Sequence, residues 1–137
     1  MDAIALTKLA VTRGAILHGS FNNISHKKFF VIIGENEEQF VGFFFINSDI
    51  HLSIKNKPAQ FEMQMPIRKA DYTFLSHNSY IGADKIQTIN KNKVVSDLVS
   101  KNTQIKGKLI DNDLNMLLDA VRNSKLFSKI EKESFFK

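Results

Sequence analysis

Four short polar clusters hold the side chains with which this 137-residue chain could do chemistry: His26-Lys27-Lys28, Asn47-Ser48, His77-Asn78-Ser79-Tyr80 and Asp84. Together they offer cations, hydroxyls, imidazoles and a carboxylate. Cleavage of a phosphodiester by an adjacent 2′-hydroxyl needs that combination: a base for the hydroxyl, an acid for the leaving oxygen, and positive charge on the developing phosphorane. Taken singly, each residue is equally at home as a solvated lysine before a strand, a turn hydroxyl or a turn-capping carboxylate.

Other chemistries find no footing in the pattern. The chain has no Cys, which excludes disulfides, thiolate metal sites and Cys nucleophiles. His18, His26, His51 and His77 show no H-E-x-x-H or paired-carboxylate spacing, so no metal and no cofactor is expected. Ser20, Ser48 and Ser79 lack a G-x-S-x-G elbow, and no phosphate-cradling glycine loop occurs. The formal charge of +5 is unevenly placed. Residues 1–50 hold 4 basic and 5 acidic side chains, residues 51–108 hold 10 and 4, and residues 109–137 hold 5 and 5. Such a middle segment attracts polyanions such as RNA or DNA by counterion release, although ordinary solubilising lysines produce the same count.

Short strands must position these clusters. Lys28–Ile33, ended by Gly34, and Phe40–Ile46 flank the polar turn Glu35–Gln39, which predicts an antiparallel hairpin with Gly42 as a bulge or close-approach point. Their continuous rather than alternating hydrophobicity implies burial on both faces. Further strands are expected at Ala15–His18, Ile50–Ile54, Phe61–Met65, Asp71–Leu75, Ser79–Ile81 and Lys85–Ile89, with Pro66 marking a strand end or sheet edge. Helical spacing then appears behind Asn92, and again behind Asp111 or Asn112 as N-cap, predicting helices over 94–101 and 113–127 with Gly107 between them. Hydrophobic residues at 43% and charged ones at 24% suit one core, so 1–137 is read as a single domain: a mainly β, small antiparallel barrel with a short helix and a C-terminal helix. Asp2 stands where a secretory signal carries a base, and no run of 18 apolar residues occurs, so a cytoplasmic protein without membrane contact is expected. The apolar tail Leu126-Phe127 and Phe135-Phe136 predicts a homodimer, or packing on its own barrel.

The segment Leu75-Ser76-His77-Asn78-Ser79-Tyr80-Ile81-Gly82-Ala83-Asp84-Lys85-Ile86-Gln87-Thr88-Ile89-Asn90-Lys91 resembles the "L-x-x-D-S-x-V-x-x-D-Q-I-R-T-I-D-K" stretch of the MazF/PemK (Kid, CcdB-like) toxins of bacterial toxin-antitoxin systems. Lys28–Ile33 is similar to the family's "R-P-V-L-V-I" strand and Gly42–Ser48 to its strand ending in "T-S", so the likeness runs over about residues 14–124. The resemblance implies an SH3-like barrel and a toxin that cuts single-stranded mRNA without a metal. Its partner would be a cognate antitoxin whose acidic tail blocks the groove. Carried over by position, it makes Lys28, Ser48 and Asp84 catalytic, with His26, Lys27, Lys55, Lys57, Arg68, Lys69, His77 and Lys85 holding RNA. The family's Arg-Pro pair is Lys28-Phe29 here, and its second Arg is replaced by Gly82-Ala83. These departures keep two alternatives open: a non-catalytic binding module for nucleic acid or a protein partner, and a gyrase-directed toxin.

Overall fold

The computed structural model describes residues 2–137. In chain order its elements are α1 (Ala3–Ala10), β1 (Ala15–Gly19), β2 (Lys28–Glu35), β3 (Phe40–Asn47), α2 (Leu52–Lys55), α3 (Pro58–Glu62), β4 (Gln64–Ile67), β5 (Ser79–Gly82), β6 (Gln87–Asn90), α4 (Lys91–Val99), β7 (Thr103–Lys108), α5 (Asp111–Asn123) and α6 (Lys129–Phe135). The seven strands form one antiparallel sheet, six of them in the order β4-β5-β3-β2-β1-β7 and β6 off this path against β3. The start of β3 also pairs with β6 and its end with β5, so one strand carries two neighbours in succession along the same edge. The path is open, with β4 and β7 at its ends, and the chain is a small β-rich fold of the class its sequence pattern predicts.

The β2–β3 hairpin is buried on both faces, as its unbroken apolar run requires. Val31 and Ile33 of β2, with Phe44 and Ile46 of β3, enter one core together with Leu117 and Val121 of α5 and with Phe127, Phe135 and Phe136. Their chain neighbours Phe30, Ile32, Val41 and Phe43 enter a second core on the opposite face, closed by Ala10 of α1 and by Val94 and Leu98 of α4. Gly42 is the expected close-approach point. It lies across from Gly34 beside a register irregularity, and a β-carbon on Gly42 would sit 2.7 Å from Phe135 Cδ1. On Gly34 it would sit 2.5 Å from the Phe135 carbonyl oxygen. The two glycines are therefore the seat of the α6 phenylalanine. Arg13 Nη2 donates to that same Phe135 carbonyl at 3.1 Å, and Arg122 Nε donates to the Phe136 carbonyl at 2.6 Å. Phe136 is 1% exposed. The tail thus packs on its own sheet, and its phenylalanines give no reason for a dimer.

Several local expectations are overturned. Ile50–Ile54 is not a strand: the His51 side chain accepts the Ser53 N–H and caps α2, a single turn that begins after Ile50 and leaves Leu52 exposed. Phe61–Met65 splits between the end of α3 and the start of β4, because Pro58 at the first turn favours a helix there. Pro66 does lie in an edge strand, β4, which pairs only with β5. Asp71–Leu75 forms a 3-10 turn and loop, held by the Tyr72 hydroxyl, which donates to Asp113 Oδ2 at 2.6 Å and accepts from the Ile110 N–H at 3.2 Å. The Gly107 link is a strand, β7, paired with β1. The two expected helices are α4 and α5, capped at Asn90 and Ile110 rather than at Asn92 and Asp111 or Asn112. Helices α1 and α6 add to them, the latter opened by a Ser128/Glu131 capping box.

A candidate cleft where strands β2 and β3 end

The start of β2 lies beside the end of β3, because Phe29 pairs with Ile46. That register sets Lys28 next to Asn47, whose Oδ1 accepts a hydrogen bond from the ammonium. On its other edge the end of β3 pairs with β5, Asn47 facing Tyr80. The chain then leaves the sheet for α2, and between these walls opens a cleft of about 580 Å³. His26, Lys27 and Lys28 line it from one side, and Asn47 through Leu52 from another. Gln64 of β4, with Ser76 and His77 ahead of β5, completes it.

Three imidazoles therefore share one cavity with two ammonium groups, the hydroxyls of Ser48, Ser76 and Ser79, and the Asp49 carboxylate. His51 Nδ1 accepts the Ser53 N–H at 3.1 Å, so in the neutral ring the proton sits on Nε2. His77 Nδ1 meets Ser76 Oγ at 2.8 Å. Among the described residues the side chains of His26, Lys27 and Ser48 make no hydrogen bond or ion pair. Lys28 is half-buried, and its ammonium also stands 4.8 Å above the Phe45 ring. Burial pushes its pKa below the ordinary lysine value, while the ring face and Asn47 offset part of that cost. Behind the cleft wall His18 stacks on Phe29 at 4.3 Å; burial, and then Lys106 and Lys27, hold its pKa below that of an ordinary histidine.

Of the residues expected from the sequence, the cleft brings together His26, Lys27, Lys28, Ser48 and His77. Asp84 lies off the cleft: its Oδ1 accepts from Gln64 Nε2 at 2.9 Å, and Gln64, 7% exposed, is what reaches the lining. Lys55 and Lys57 flank the α2–α3 link, Arg68 and Lys69 follow β4, and Lys85 sits in the β5–β6 turn, all exposed and none lining the cleft. Sequence reasoning missed His51 and Gln64. A histidine two residues ahead of Ser53 at a helix start is a capping signal, whereas nothing in the sequence marks Gln64 as a link to Asp84. Among the described residues no three His, Asp or Glu side chains are grouped as metal ligands, and no helix is long and apolar enough to cross a membrane. No protein-family model matches the chain, and no curated protein matches it.

Proposed function

We propose that the protein is an endoribonuclease that cleaves single-stranded RNA in this cleft with protein side chains as acid and base, the activity expected of a MazF/PemK-type toxin. The observation that carries this reading is that His26, His51 and His77 line one cavity with Lys27, Lys28 and Ser48. One neutral imidazole takes the proton of the 2′-hydroxyl as that oxygen bonds to phosphorus. A second, protonated imidazole gives a proton to the 5′-oxygen as the P–O bond breaks. Lys28 and Lys27 balance the charge gathering on the non-bridging oxygens, and the Ser48 hydroxyl donates to one of them. The products are a 2′,3′-cyclic phosphate and a 5′-hydroxyl. Asp84 acts as a positioning residue that fixes Gln64 in the wall. An antitoxin with an acidic tail is the partner that suits the same lysines.

A second reading has a specific observation behind it. With Asp84 tied to Gln64 and off the cleft, the same cavity serves a binding module that holds RNA without cutting it. Incubating the purified protein with mixed-sequence single-stranded RNA in EDTA separates the two. Fragments with cyclic-phosphate and 5′-hydroxyl ends, lost in His51→Ala or His77→Ala, support cleavage. Intact RNA retarded on a gel supports the module, and intact unretarded RNA overturns both.

A further inference from the structure

A second recess, of about 320 Å³, is lined by Phe45, the residue whose ring lies under the Lys28 ammonium. Its floor is aromatic: Phe21 stacks on Phe43 at 5.6 Å and meets Phe45 edge-on at 5.0 Å. Its rim carries the side-chain amides of Asn22, Asn23 and Gln87, none of which has a hydrogen-bond partner among the described residues. No charged side chain lines it. A pocket with a ring-faced floor, amide donors and acceptors at the edge and no charge suits a flat, neutral, polar-edged ring, and its volume falls at the small end of ligand sites. The Lys28 ammonium lines the cleft and not the recess, but it stands 4.8 Å above the ring of Phe45, which lines the recess, so this one contact joins the two places.

We infer that this recess is a nucleobase subsite, which holds one base of the RNA strand whose phosphodiester lies in the neighbouring cleft. The inference rests on the RNA-cleaving reading for the strand's identity, but on the recess itself for the base. The ring stacks on the partly exposed Phe21 and Phe45, which buried Phe43 backs, and the amides of Asn22, Asn23 and Gln87 read its edge, as amide side chains read bases elsewhere. Lys28 meets the phosphate joined to that nucleotide. The subsite therefore sets which base stands at a fixed position beside the cut.

Uncharged ribonucleosides test the recess without its phosphate site. Each of the four is titrated into the 15N-labelled full chain while the side-chain amide signals of Asn22, Asn23 and Gln87 are followed. The expected result is saturable movement of these signals with one base preferred, and binding weakened roughly tenfold or more in Gln87→Ala and in Asn23→Ala, the latter at an exposed turn residue. No movement with any nucleoside at millimolar concentration overturns the subsite. Sequencing of fragment ends provides the second arm: a base preference at one position in the wild type, flattened in Gln87→Ala, is expected. Cleavage blind to sequence overturns the subsite and leaves the nuclease standing. Nucleoside binding without RNA cleavage does the reverse.

Discussion

The two adjacent lysines of the cleft differ in burial, and that difference predicts different chemistry. During cleavage the phosphate passes from one negative charge to two, so a nearby cation gains the interaction of one additional unit charge in the transition state. At about 4 Å this is worth ~4 kcal/mol where the effective dielectric constant is about 20, and ~1 kcal/mol in bulk water. Lys28, half-buried between Asn47 and the Phe45 ring, is near the first limit, and exposed Lys27 near the second. Lys28→Ala should therefore slow single-turnover cleavage by about 10²–10³-fold and Lys27→Ala by about fivefold. Binding behaves otherwise. Each variant gives up one phosphate contact, so each should lower the salt dependence of RNA affinity by about 0.7 in log–log slope. The assay is single-turnover cleavage of one labelled RNA, with affinities measured at several salt concentrations. Equal slowing by the two variants, or a Lys28 effect confined to affinity, would refute the reasoning.

Other outcomes follow from neighbouring contacts. Asp84→Asn keeps an oxygen for the Gln64 N–H and should leave cleavage within about threefold of the wild type, whereas a direct acid or base role would cost about 10²–10⁴-fold in the same assay. The Tyr72 phenol is held protonated well above its usual range by burial and then by its bond to Asp113. Above about pH 10 the unfolded chain loses that proton and the native one keeps it, so stability falls by up to ~1.4 kcal/mol per pH unit. Urea unfolding across that range should show this slope in the wild type and its loss in Tyr72→Phe, which is itself about 1–3 kcal/mol less stable at neutral pH. Gly42→Ala drives a methyl into the Phe135 ring and should cost about 1–3 kcal/mol by thermal denaturation, with Val41→Ala as a cavity-forming comparison.

Much of the sheet was legible because β1, β2 and β3 carry dense apolar runs whose ends coincide with Gly or polar turns. The Val94–Val99 and Leu114–Val121 spacings marked α4 and α5 for the same reason: a long pattern outweighs local ambiguity. Segments 50–54 and 61–65 misled because positions i and i+4 share a face in a helix and in a strand alike, and the elements there are too short to tell the periods apart. Strand β7 was hidden by its basic composition, since only Thr103, Ile105 and Gly107 turn toward the protein. In the site, residues adjacent in sequence to strand ends were found, while His51 and Gln64 depend on how α2 and β4 fold back. Asp84 illustrates the opposite failure: its position along the chain suggested chemistry, and its hydrogen bond to Gln64 is visible only in three dimensions.

The double burial of the central hairpin has a consequence for how the chain finds its pairing. In a sheet with one wet face, sliding a strand by one residue puts apolar groups into water, and that penalty selects the alignment. Here a one-residue slip of β2 exchanges Val31 and Ile33 for Phe30 and Ile32, apolar for apolar on either side. Water avoidance is then nearly silent about alignment, and shape must decide it. Gly42 leaves room for the Phe135 ring and Gly34, opposite it, for the Phe135 main chain, and a slipped β2 offers Ile33 or Glu35 in place of Gly34. Alignment of two strands close together in the chain is thus proofread by a residue far from both. The Asn36 side chain, which accepts the Glu38 and Phe40 N–H groups in the turn, and the docking of Phe135 on the two glycines then select the same alignment from opposite sides.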